Sequence, residues 1–167
     1  IKREWKLKPI QKLIVSSATY RQKNSFSTEY LKIDSDNTLL WHRKPHRLEA
    51  EAIRDRMLDV AGVLNKQMYG PSIPIGNYKK TFDDSPKTWR RSIYLQAHRA
   101  VEHPTLSLFN SPNTEVSVGA RSTSTGEEST LFALNSKLSW ELAHHFAKRI
   151  DSHSPKSSDQ IINNAYM

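Results

Sequence analysis

One stretch constrains the fold more than any other: LLWHRKPHRLEAEAIRDRMLDVAG, Leu39 to Gly62. On a helix of about 3.6 residues per turn, Ala50, Ile53, Met57, Val60, Ala61 and Leu64 fall on one face. That spacing predicts a core-facing amphipathic helix over Arg47 to Leu64. Pro45 lies just ahead of it, where a ring costs least, and Gly62 suits its C-terminal cap. Upstream, DSDN (Asp34 to Asn37) offers a turn and an N-cap for a short helix through Leu39, Leu40 and Trp41.

Beside the apolar face runs a charged stripe of Arg47, Glu51, Arg54 and Asp55. Arg47 with Glu51, and Glu51 with Arg54, stand at the spacings that pair along a helix. Leu58 falls within this stripe, so full solvation is not expected. The stripe therefore predicts an ionic network, latched to Arg43, Arg90, Arg91 or Arg121. The alternative is catalytic use of Glu51 and Asp55, but structural ion pairs perturb carboxylates as active sites do.

A second helical stripe, Leu131, Leu134, Leu138, Leu142, Phe146 and Ile150, runs through Ser129 to Ile150. Asn135 and Ser136 interrupt it, with Ser136 placed to cap the second half. The two helical regions are expected to pack together. Ile1 to Ser17 repeats Leu7, Ile10, Leu13 and Ile14 at helical spacing, with Pro9 in the first turn. Arg90 to Ala97 alternates as a strand does, with Val116 to Val118 as its nearest partner. Lys23 to Tyr30 is polar, Met68 to Asp84 is a Gly- and Pro-punctuated loop, and His103 to Pro112 is a short helix or turn. The expected class is mainly α: an irregular helical domain fragment with long loops and a minor two-stranded β element. It forms one domain over 1–167, with a linker at 152–160 before a closing helix.

The chain has 167 residues, a net charge of +8 and no cysteine. Disulfides, thiolate zinc sites and haem attachment within the chain are excluded. No apolar run approaches the ~18 residues of a membrane span. The positive charge permits anionic partners, but Lys and Arg are dispersed, and the cluster Lys2, Arg3, Lys6, Lys8 and Lys12 is modest. A nucleic-acid partner is not expected. His42 and His46 are separated by Pro45, His144 and His145 diverge on a helix, and Glu141 with His145 lacks a third ligand, so no metal site is expected. No nucleophile elbow, P-loop or dinucleotide-binding glycine pattern occurs. Trp41 and Trp140 read as core, and Trp89, beside Arg90 and Arg91, as an exposed stacking platform.

Four segments in order carry a resemblance: LIVSSATYRQ (Leu13 to Gln22), DSDNTLLWHRKPHRLEAEAIRD (Asp34 to Asp55), RRSIYLQAHRAVEHPTLSLFNSP (Arg90 to Pro112), and Arg121 to Asn135 ending in LFALN. Together they resemble the planctomycete-type C-terminal domain of unknown function (domain-of-unknown-function family 1553). The likeness covers nearly the whole chain and implies that it is the latter part of that domain, cut at both ends. It departs from the family pattern at Asn110, at Ser129 or Thr130, and at Lys137. The positions that match are Tyr20, Arg21, Arg47, Glu51, Arg54, Asp55, Arg91, Arg121 and Asn135; with Trp89 they form the candidate binding set. The family supplies no role for any of them.

The resemblance also implies an extracytoplasmic, periplasmic parent protein that often carries a cytochrome c domain. Haem c would then belong to the parent and no cofactor to this chain. The implied partners are other domains of the parent, or a polysaccharide. The implied function is a docking or polysaccharide-binding module; the alternative is a polymer-acting hydrolase or oxidoreductase built on Glu51, Asp55 and neighbouring arginines.

Overall fold

The structure, a computed structural model, describes residues 6–75, 84–99, 101–121, 126–152 and 157–166. It is mainly helical, and the chain divides into two compact units, Ile1–Arg47 and Leu48–Met167. Lys2, Arg3, Trp5 and the proposed start of the first helix lie outside the described residues, as do Asp83, Ser122 and Ser124.

In the N-terminal unit, α1 (Leu7–Ser16) follows the apolar spacing, yet it buries none of its residues. A short helix α2 (Thr28–Ile33) starts within the polar stretch Lys23 to Tyr30, for which no helix was expected. The helix expected through Leu39 to Trp41 is replaced by a turn. The Asp34 carboxylate accepts from Leu39 N (2.8 Å), Thr38 N (2.9 Å) and Thr38 Oγ1 (2.9 Å). Those bonds, led by the Leu39 N–H and opposed by partial burial, hold its pKa below the usual carboxylate value. Cap-like bonds thus close a turn instead of starting a helix. Asn37 and Leu40 both adopt positive φ, which interrupts any helical run. Trp41 donates from Nε1 to Asp34 O (3.0 Å) and stands edge-on to Tyr30, with ring centres 5.7 Å apart. It is half-buried and lies outside any helix.

In the C-terminal unit, the central helix is α3 (Ala50–Val60). It starts after Arg47, so Arg47 and Glu51 do not share a helical turn as expected. It ends in a Schellman arrangement: Gly62 N donates to Asp59 O (3.0 Å) and Val63 N to Leu58 O (3.0 Å). Gly62 holds φ +76°, the left-handed conformation its missing Cβ allows. The buried residues of α3 are Ala50, Arg54 and Leu58, followed by Ala61. The inward stripe therefore carries Arg54, while Ile53 and Met57 are half-buried and Val60 is exposed.

The remaining helices are α4 (Pro104–Leu108), α5 (Glu127–Asn135), α6 (Lys137–Asp151) and α7 (Ser158–Tyr166). Ser136 separates α5 from α6 and caps α6, accepting from Ser139 N at 3.0 Å, as its position predicts. The closing helix starts at Ser158, inside the stretch read as linker. Leu58 and Ala61 pack with Trp89, Leu138 and Leu142 into one core, so α3 and α6 meet as expected. Full burial of Leu58 alone contributes roughly 1.5–3 kcal/mol.

The predicted pairing of Arg90 to Ala97 with Val116 to Val118 does not form. Arg90 and Leu95 instead make isolated bridges to Asn65 and Ile73, and Val116 and Val118 are exposed. The physical reason is Ser92. Its N–H and Oγ–H both donate to Asp55 Oδ1 at 2.7 Å, and Ser92–Tyr94 closes into a 3₁₀ turn that breaks the extended run. Ile93, within that turn, is 78% exposed.

Candidate functional site

Arg54 is the hub behind the site. It is 1% exposed, and its guanidinium donates to Asp84 from Nε (3.2 Å) and Nη2 (2.8 Å). It donates further to Thr88 O (3.1 Å), Arg90 O (3.0 Å) and Ser92 Oγ (3.3 Å). Five bonds in a planar fork explain why an arginine, and not a lysine, can be buried here. Asp84 also accepts from Thr105 Oγ1 at 3.3 Å, which ties α4 to the same carboxylate.

Next to Arg54 on α3, Asp55 accepts from Ser92, and one turn earlier Glu51 joins Asp55 in lining a cleft of about 540 Å³. The cleft wall is apolar, with Ile75, Leu95, Ala97, Val101, Leu106 and Pro112. Its polar groups include Glu49, Asp55, Glu102, Ser92 and His103 beside Glu51 and Arg121. Arg121 grips Glu51 with two nitrogens, Nη1 to Oε2 at 2.6 Å and Nη2 to Oε1 at 3.1 Å, and its Nη1 lies 3.5 Å from Glu49 Oε2. Partial burial pushes the Glu51 pKa up, but the Arg121 hydrogen bonds and charge, with Glu51's own N–H, outweigh it and leave the pKa lowered. The hydrogen bond to Glu51 raises Arg121 in turn.

His103 caps α4, its Nδ1 accepting from Leu106 N at 3.4 Å, and its Nε2 is 4.0 Å from Asp84 Oδ2. Burial, then the charge of Arg54, lower its pKa to about 4, against the smaller pull of Asp84. The imidazole is therefore neutral at pH 7.

The structure gathers Glu51, Asp55 and Arg121 at this cleft, with Arg54 behind them. An ionic network on α3 thus exists. Glu51 latches to Arg121, one of the partners expected, whereas Arg54 binds Asp84 in place of the intrahelical pair with Glu51. Trp89 is corrected: it is 3% exposed in the core, edge-on to His145, and offers no stacking platform. Arg90 beside it is buried too, capped by the Tyr94 ring at 3.5 Å and donating to Gln67 O, Tyr69 O and Pro71 O. Trp140, expected in the core, is 68% exposed. Arg91 is exposed, with Nη1 3.8 Å from Met68 Sδ, and Asn135 is exposed at the end of α5. Tyr20, Arg21 and Arg47 belong to the N-terminal unit, where Arg43 lies 5.6 Å from the Tyr20 ring centre.

Ser92, Asp84 and His103 were missed as participants. The one sequence signal for His103 is its place directly before Pro104, the N-cap position of a proline-started helix. Among the described residues, no three His, Cys, Asp or Glu side chains converge on a metal position, and no helix is long and apolar enough to cross a membrane.

No curated protein and no solved structure matches the chain. One family model does, along residues 1–167: the chain belongs to the PSD1 family, described as a protein of unknown function (DUF1553).

Proposed function

We propose that this PSD1-family chain is a non-catalytic docking module whose cleft takes an extended, partly apolar segment of a protein partner. The observation that carries this reading is an apolar wall bordered by carboxylates already committed to internal bonds. Asp55 is held by Ser92 and Glu51 by Arg121. A general acid must hold its proton near neutral pH, whereas Glu51 is kept ionised, so the polymer-hydrolase reading has less support. A polysaccharide is disfavoured on different grounds: among the described residues, no Phe, Tyr or Trp lines the cleft to stack on a sugar ring. The partner we infer is another domain of the parent protein, outside the cytoplasm, in keeping with the resemblance to cytochrome c-associated proteins.

Ala97 is exposed and lines the cleft, so Ala97→Glu blocks it without touching the core. Capped pentapeptides of Leu and Val around one central polar residue are the probes, titrated by calorimetry. Binding by the native chain and its loss in Ala97→Glu are expected. Absence of peptide binding, or Glu51-dependent cleavage of a polymer, would overturn the reading.

A further inference from the structure

The cleft lining holds four carboxylates, Glu49, Glu51, Asp55 and Glu102, on a chain whose net charge is +8. Among the described residues that line it, Arg121 is the one lysine or arginine. His103 is neutral there at pH 7. Arg121 reaches Glu51 from 70 positions away, from an exposed connector between α4 and α5. The side chains of the pair are 35% and 34% exposed.

Two ion pairs on α3 can be compared. Arg54 is buried and the Asp84 side chain is only 10% exposed, and Arg54 is fixed by three further acceptors, so breaking that pair is costly. The Glu51–Arg121 pair has similar fork geometry but sits in partial solvent, where such pairs contribute little net stability. It can therefore be exchanged for another cation of the same shape. When Arg121 leaves, Glu51 and Glu49, which both reach its Nη1, remain in a cleft with apolar lining. That arrangement suits a guanidinium or ammonium whose neighbouring residues are aliphatic.

We propose that Glu51, flanked by Glu49, is the seat for a basic side chain of the partner segment, and that Arg121 occupies the seat in the unliganded chain as an internal competitor. The inference rests on the docking reading above and adds the partner's chemistry: an arginine or lysine between apolar residues. Arg121 then sets a threshold, because a partner must displace it before docking.

The test uses two capped pentapeptides on the full chain, one with a central arginine and one with citrulline, which keeps the shape but not the charge. Arg121→Ala is expected to tighten the arginine peptide about twofold to fivefold, the gain from removing a partly exposed competitor. Citrulline affinity should stay unchanged. Glu51→Gln should erase the preference for arginine over citrulline. Circular dichroism of each variant checks that α3 is intact. If Arg121→Ala weakens the arginine peptide or leaves it unchanged, Arg121 is no competitor and the proposal fails. If all variants bind both peptides equally, the cleft docks peptides but has no cation seat. If no variant binds either peptide, the docking reading fails as well.

Discussion

Replacing Arg54 with methionine is the sharpest test of how the C-terminal unit is held together. Methionine has a similar stem and keeps most of the apolar contact, so the variant isolates the guanidinium. Its loss leaves Asp84, whose side chain is 10% exposed, with its hydroxyl contacts from Thr88 at 3.4 Å and Thr105 at 3.3 Å. An uncompensated buried charge of this kind costs about 3–5 kcal/mol. Against a typical domain stability of about 5–15 kcal/mol, that is a large fraction. At roughly 4 °C per kcal/mol, Tm should fall by about 12–20 °C. The companion variant Arg54→Met with Asp84→Leu removes both charges, and for a simple ion pair it should recover nearly all the loss. Here recovery should stay incomplete. Arg54 also serves Thr88 O, Arg90 O and Ser92 Oγ, and each lost bond costs about 0.5–1.5 kcal/mol. Urea unfolding followed by far-ultraviolet circular dichroism measures both variants. A loss below about 1 kcal/mol in the single variant would show that the guanidinium is solvated, and the hub argument would fall.

Three further outcomes follow from the same geometry. His103, with a pKa of about 4 against an ordinary 6.5, is protonated in the unfolded chain first, so its contribution is intact above pH 6.5 and drains as pH falls toward 4. Stability should drop by about 2 kcal/mol between pH 7 and 5, and His103→Asn, which keeps a helix-capping acceptor, should remove that part of the slope in urea titrations at each pH. Trp89→Ala should cost about 3–5 kcal/mol through the cavity it opens among Leu58, Leu138 and Leu142; a change within 0.5 kcal/mol would restore the exposed-platform reading. At Gly62, a Cβ would meet Arg149 Cδ at 3.3 Å and the φ of +76° is strained for any other residue, so Gly62→Ala should lose about 1 kcal/mol or more in thermal melts.

The helices were largely legible because their apolar spacing and caps are local. Ser136 caps α6 as its position suggests, and Gly62 closes α3. The orientation of α3 was not legible. Apolar spacing points Ile53, Met57 and Val60 inward, but the buried stripe of Ala50, Arg54 and Leu58 lies roughly 90° round the helix. The spacing treats every arginine as surface, and cannot know that Asp84, 30 positions away, satisfies this one. Leu58 inside the charged stripe was the residue that told against solvation. The strand at Arg90 to Ala97 failed for a related reason: Ser92 reads as the polar position of an alternating run, but its hydrogen bonds to Asp55 turn the backbone. Trp89 and Trp140 exchanged places because neighbouring arginines suggested exposure for one and helical context suggested burial for the other. Burial instead followed the side on which α6 meets α3, where Trp89 packs with Leu138 and Leu142.

The cleft and the core are therefore joined through a few consecutive residues of α3. Arg54 points inward and is fixed by Asp84 and by backbone carbonyls of the Thr88–Arg90 segment. That fixed segment delivers Ser92 to Asp55, which lies next to Arg54 on the helix and lines the cleft. One turn earlier on the same helix, Glu51 also lines the cleft, and Arg121 meets it there. A change at Asp55 acts on both levels, since it frees the Ser92 turn and alters the charge of the cleft. A change at Glu51 acts on the cleft alone, because its partner is on an exposed connector and not in the core. Loss of binding with unchanged stability should thus mark Glu51 variants, while Asp55 variants lose both together. That difference separates a docking surface laid over a rigid scaffold from a scaffold whose charges have no further use.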